Sequence, residues 1–130
     1  MPETKPDVFM AYDIRGLVDQ DFDREWVHHL GRACGTYFRK NGYSKAVVGR
    51  DNRHSSRDYQ ASLVQGLMDS GVDTLVLPMV PTPLLYYAIR SLGYRAGVMI
   101  TASHNPPQYN GFKVWAGEDT IHTAELRKIY

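Results

Sequence analysis

A single cysteine, Cys34, is all the sequence holds, which excludes an internal disulfide and any zinc site built on several thiolates. Long apolar runs are missing too. No stretch approaches the ~18 residues of a membrane span, and the N-terminal M-P-E-T-K-P-D has neither the basic nor the apolar region of a secretory leader. Charge of one sign is equally scarce: 15 Lys and Arg stand against 14 Asp and Glu, a formal +1 over 130 residues with no block of like charge. The basic excess that neutralises many nucleic-acid phosphates is therefore absent. These absences imply a reduced, cytoplasmic chain with no nucleic-acid and no membrane partner. Internal repeats and low-complexity linkers are lacking as well, and 43% of the residues are apolar, so the chain is expected to form one globular domain. A chain of this size buries roughly two-thirds of the surface its unfolded form exposes, enough for a core without staples.

What is there alternates between two periods. Residues 1–7 read as a flexible tail, followed by a short extended stretch, Val8–Tyr12. Trp26, Val27, Leu30, Ala33, Cys34, Tyr37 and Phe38 recur at three- and four-residue spacing, which predicts an amphipathic helix from about Asp23 to Lys40, with Asp23 as N-cap and Asn41-Gly42 as the stop. Cys34 on that stripe reads as an inert core thiol. Lys45–Gly49 reads as a buried strand, and Ser55-Ser56 opens a second helix with Tyr59, Leu63, Val64, Leu67 and Met68 on one face. Thr74–Leu77 is strand again. Pro81 and Pro83 frame a third helix, Leu84 to Leu92, stopped at Gly93. Gly97–Thr101 and Phe112–Trp115 read as strands and residues 123–130 as helical. The fold class predicted is a three-layer α/β/α domain with a mixed, mostly parallel sheet of about four strands. In such sheets, function gathers in the loops beyond the carboxyl ends of the strands.

Three clusters could carry chemistry. Ser103 and His104 stand side by side after a buried strand, and Lys113 follows a Gly111 that permits close backbone approach. The residues alone allow either a Ser/Asn turn closed by prolines or an anion site. A serine hydrolase would need a G-x-S-x-G elbow, which is absent. Adjacent residues seldom form a nucleophile–base pair, so His104 is better suited to exchange a proton with a substrate hydroxyl. The second cluster is Tyr12-Asp13-Ile14-Arg15-Gly16, a charged pair interrupting an apolar strand before a glycine turn; a plain ion pair is the other reading. The third is Arg50, Asp51, Asn52, Arg53, His54, Ser55 and Ser56, two arginines ahead of a helix whose amide end could attract an anion. His28, His29 and His122 lack companions at ligand spacing and read as surface or packing residues.

Together these strings resemble the α-D-phosphohexomutase family. T-A-S-H-N-P-P-Q-Y-N-G-F-K at 101–113 is similar to its phosphoserine loop, Y-D-I-R-G at 12–16 to its N-terminal motif, and G-R-D-N-R-H-S-S at 49–56 to a third block. Y-D-I-R-G points to the phosphomannomutase/phosphoglucomutase branch. The resemblance runs over residues 8–130 and implies that Ser103 carries a phosphoryl group between O1 and O6 of a hexose phosphate through a bisphosphorylated sugar. It implies that His104 and Lys113 serve proton transfer and charge stabilisation, that Tyr12 and Arg15 line the same cleft, and that Arg50, Asp51, Arg53, Asn105 and Asn110 form the phosphate environment or its support. It also implies Mg²⁺, held here by the Ser103 phosphate alone. The family's acidic D-x-D-x-D-R metal loop belongs to its second of four domains and does not occur in this sequence. The chain is therefore expected to be a first domain, inactive without the domains that complete the family's chain. A standalone anion- or sugar-phosphate-binding module is the alternative.

Overall fold

In a computed structural model, the structure describes residues 14–18, 22–101, 108–117 and 119–120. The first helix is capped as its sequence requires. Asp23 adopts extended backbone and its carboxylate accepts the Trp26 amide at 2.7 Å, satisfying one of the donors that a helix start leaves unpaired. Helix α1 then runs Arg24–Lys40, with Glu25 in its first turn and Arg39 and Lys40 in its last, each sign at the helix end that attracts it. Gly42, at φ +83°, reverses the chain into strand β2, Lys45–Arg50.

Helix α2, Ser56–Asp69, buries Tyr59, Leu63, Leu67 and also Gly66. Met68, expected on that face, is 55% exposed. The reason is that α1 seats against α2 at Gly66, which turns the next but one residue toward solvent. Strand β3, Asp73–Met79, leads to helix α3, Thr82–Ser91. This helix starts two residues earlier than Leu84, with Pro81 at its cap and Pro83 in its first turn. Strand β4 spans Ala96–Ile100, and β5 spans Tyr109–Ala116. The turn-rich segment thus gives up Tyr109, Asn110 and Gly111 to a strand that was expected to begin at Phe112. Strands β1, Ile14–Leu17, and β6, Asp119–Thr120, complete the set.

The sheet has six strands rather than about four, in the order β1-β5-β4-β2-β3, with β6 also on β5. Strands β2, β3 and β4 are mutually parallel, while β5 runs against β4, β1 and β6. The sheet is therefore mixed, and every strand but β5 points one way. Strand β1 went unforeseen because Gly16 reads as a turn, yet in the ladder it sits opposite Asn110. The extended stretch expected at 8–12, the tail at 1–7 and the helix at 123–130 lie outside the described residues.

Two cores flank the sheet. Ala46, Val48, Val98, Ile100, Phe112 and Val114 pack with α1 and α2 on one face. Val47, Met99 and Trp115, the alternate residues, meet Leu85 and Ile89 of α3 on the other. This is the α/β/α sandwich expected. Among the described residues no helix is long and apolar enough to cross a membrane.

Candidate functional site

Because every strand but β5 points one way, five chain segments converge at one edge. They are Leu17, the exits of β2, β3 and β4, and the start of β5, which Leu17 faces at Tyr109. Backbone bonds weld these segments together. The Asp51 amide donates to the Ile100 carbonyl at 3.0 Å, Val80 to Arg50 at 3.0 Å, Thr101 to Gly111 at 2.9 Å and Val18 to Gln108 at 2.8 Å. Thr101 and Gln108 are thus fixed on either side of residues 102–107.

The loop after β2 is braced from within. One Asp51 carboxylate oxygen accepts from the Arg53 amide at 3.1 Å and the Ser56 hydroxyl at 2.5 Å, and the other accepts from Arg53 Nε at 3.0 Å. Arg53 Nη1 donates onward to the Tyr109 carbonyl at 3.2 Å. The pair is largely enclosed, with 12% of the Arg53 and 19% of the Asp51 side chain exposed. Asn110, fully buried, donates from Nδ2 to Ser55 at 2.7 Å and Ser56 at 3.0 Å, while its Oδ1 accepts the Gly111 amide at 2.8 Å. The Ser55 hydroxyl is taken up by Asn110 and makes no capping bond to α2. Among the described residues Arg50 is tied more loosely, by one 3.3 Å donation to the Asp51 carbonyl.

The structure therefore brings Arg50, Asp51, Arg53 and Asn110 into one cluster at the carboxyl edge. Lys113 lies three residues deeper along β5, opposite Met99, half-buried, its side chain without a hydrogen-bond or ion-pair partner among the described residues. Arg15 is paired through its backbone with Gly111, two residues from Lys113. Tyr12, Ser103, His104 and Asn105 lie outside the described residues, as does His122. His28, read as a surface or packing residue, is partly exposed, and its Nε2 meets Asp69 Oδ2 at 2.7 Å. Cys34 is fully buried, and burial pushes its thiol up to about 12, which suppresses the reactive thiolate.

One site-supporting residue escaped the sequence reading. Gln60 is buried, like Ser56 of the third cluster, and its Nε2 donates to the Val48 carbonyl at 3.1 Å and the Leu77 carbonyl at 2.9 Å. Its signal was available, since positions 56, 60, 63 and 67 form one helical stripe on which the first two are polar.

The family model described as phosphoglucomutase/phosphomannomutase, alpha/beta/alpha domain I, matches residues 6–130. A phosphomannomutase/phosphoglucomutase of Pseudomonas aeruginosa is 41% identical over 128 residues, which cover 98% of this chain and 28% of that protein. A probable phosphoglucosamine mutase of Thermococcus kodakarensis is 40% identical over 120 residues, covering 92% of this chain and 26% of that protein. Among solved structures, a phosphoglucomutase/phosphomannomutase family protein from Burkholderia thailandensis superposes with a TM-score of 0.91 at 36% identity, covering 98% of this chain and 30% of the other. The chain thus spans less than a third of the length of each of these relatives. With its fold, its match over residues 6–130 and these identities, the chain belongs to the phosphoglucomutase/phosphomannomutase family, in the α/β/α domain I.

Proposed function

We propose that this domain carries the phosphoryl-transfer residue of a hexose-phosphate mutase of the phosphomannomutase/phosphoglucomutase branch. The observation that carries the reading is positional. Ser103 follows Thr101 by two residues, and Thr101 leaves the sheet where the Asp51–Ile100 and Thr101–Gly111 bonds gather Arg50 and the strand of Lys113. Cations near the point where the chain leaves the sheet toward Ser103 suit a group whose transfer spreads charge over phosphoryl oxygens.

In this reading a sugar hydroxyl attacks the phosphorus of phospho-Ser103. The new O–P bond forms as the bond to Ser103 Oγ breaks. His104 takes the hydroxyl proton and Lys113 holds charge near the reacting oxygens, while Tyr12 and Arg15 contact the sugar phosphate. After the bisphosphorylated sugar turns over, the second half runs in reverse at the other hydroxyl and restores phospho-Ser103, so the net change moves one phosphate between O1 and O6.

Mg²⁺, when bound at the Ser103 phosphate, would offset charge on the transferring oxygens. By the family resemblance, the ion's other ligands would come from the acidic D-x-D-x-D-R loop of the family's second domain, which does not occur in this sequence. For the same reason the 130-residue chain alone is expected not to interconvert hexose 1- and 6-phosphates.

The test is Ser103→Ala in a polypeptide that joins this domain to the family's other three. Loss of the covalent carrier should lower turnover by several orders of magnitude while hexose-phosphate binding survives. In the unsubstituted protein, the peptide containing Ser103 should carry an added ~80 Da. A normal rate with weakened binding would make Ser103 a mere hydrogen-bond donor and overturn the reading.

A further inference from the structure

We propose that the Asp51–Arg53 ion pair is a positioning clamp that sets the spacing of the two feet of the Ser103 loop. The inference rests on the mutase reading only for its effect on turnover. Asp51 reaches one foot directly and the other through Arg53. Its backbone amide donates to Ile100, the last residue of β4, and its carboxylate orients Arg53, whose Nη1 donates to the carbonyl of Tyr109, the first residue of β5. The β4–β5 ladder cannot do this alone. Its pairing ends at Ile100 opposite Phe112, with one further bond from Thr101 to Gly111. From there to Tyr109, β5 pairs on its other side, with β1.

The clamp is itself held. Ser56 donates to the Asp51 oxygen that also takes the Arg53 amide, and Asn110 fixes the Ser56 hydroxyl from the β5 side. Residues from β2's exit, α2's first turn and β5's first turn thereby form one bonded unit around a carboxylate. An anion approaching the Nε and Nη1 of Arg53 would have to displace a carboxylate 3.0 Å from the one and the Tyr109 carbonyl from the other. Enclosure raises that cost, because a largely buried carboxylate left without its partner is poorly solvated. Arg50, with one long contact to a backbone carbonyl among the described residues, is the less constrained arginine of this loop.

The separating property is fork geometry. A lysine keeps the charge but cannot bond the carboxylate and the Tyr109 carbonyl at once from a planar group. Amide hydrogen exchange on the 130-residue chain is the first readout. Arg53→Lys and Asp51→Asn should each speed exchange at the Asp51 and Thr101 amides on the order of ten- to a hundredfold, as expected for loss of a charge-assisted bond. The α1 amides of Leu30 and Cys34 should keep their protection, which marks the change as local; their collapse in Asp51→Asn would leave the decision to the milder Arg53→Lys. Unchanged exchange in Arg53→Lys overturns the clamp, whatever Ser103 carries.

The second readout is kinetic, in the four-domain polypeptide. Clamp loss should lower kcat in Arg53→Lys while KM stays within about twofold, as expected for a pair that positions the loop feet rather than binding substrate. A rise confined to KM would make Arg53 a ligand, and faster exchange with unchanged kcat would remove its positioning role. Either result overturns the proposal. Ser103→Ala should leave the exchange pattern intact, so failure of the mutase reading and failure of the clamp are distinguishable.

Discussion

Gly66 of α2 lies in direct contact with Gly31 of α1: a Cβ built on Gly31 would stand 3.0 Å from the Gly66 Cα and run into the Leu63 carbonyl. From the other side, a Cβ on Gly66 would reach 2.8 Å from the Arg32 nitrogen and collide with the His28 carbonyl. The obstructing atoms are backbone, so no rotamer change can relieve them. Helix propensity alone favours Gly→Ala by about 1 kcal/mol. Overpacking costs about 1–3 kcal/mol or more when the neighbour cannot move. Gly66→Ala is therefore expected to lose stability by about 1–2 kcal/mol net, read as a lower urea midpoint. A midpoint at or above that of the parent would show that the two helices slide apart at little cost.

The α1–α2 contact also carries an acid-sensitive pair. Hydrogen bonds from His28 and Gln65 hold the exposed Asp69 carboxyl below its ordinary range. A carboxyl with a depressed folded pKa contributes stability above its unfolded pKa and loses it as pH falls through the folded one. The contribution should therefore be present near pH 6 and fade below about pH 4. Urea midpoints of Asp69→Asn and the parent should differ at the upper pH and converge at the lower. Curves that stay parallel would remove Asp69 from the acid response.

Cys34 offers a chemical probe of opening. With its thiol fully buried and pushed up to about 12, maleimide labelling should be negligible in the native chain and fast in urea. Labelling at native conditions at the rate of a free thiol would contradict the packing of α1.

The parts of this architecture that were legible in the sequence are those written in local chemistry. Asp23 reads as a cap because a carboxylate at that position has one obvious use, and the Trp26-to-Phe38 stripe reads as a core face because period and polarity agree. Strand β1 was not legible, since Arg15 and Gly16 break an apolar pattern, and only pairing with Gly111 and Asn110 makes them strand. The same holds at α3. Its apolar residues suggest a well-covered helix, yet Leu85 and Ile89 alone are buried, and Leu84 and Tyr87 are exposed at 46% and 67%. The site divides likewise. The string around Ser103 is recognisable from its residue types, whereas the union of Asp51, Arg53 and Tyr109 joins residues up to 58 positions apart (51 to 109). No local pattern encodes a hydrogen bond to a carbonyl so far along the chain.

Gln60 gives the last test, because it sets a polar role against an apolar stripe. Its Nε2 serves the carbonyls of Val48 and Leu77 where the β2–β3 register shifts between Val48 and Arg50. Gln60→Leu would suit the stripe and bury about 1–2 kcal/mol more of apolar surface. It would also strip a donor from two carbonyls, at about 1–3 kcal/mol for each left unsatisfied. The carbonyls should win, for a net loss of about 1–3 kcal/mol. Gln60→Glu keeps the shape but replaces the donor by a carboxylate facing two carbonyl oxygens, so near pH 7 it should be the less stable variant. Burial and those carbonyls would raise the new carboxyl's folded pKa. Its destabilisation should therefore shrink as pH falls toward the unfolded carboxyl value of about 4.3, where the protonated form can donate once more. Urea midpoints near pH 7 and near pH 5 measure both effects. If Gln60→Leu proves as stable as the parent, the bridge between β2 and β3 carries no weight, and the carboxyl edge of the sheet is held by the backbone ladder and the Asp51 cluster alone.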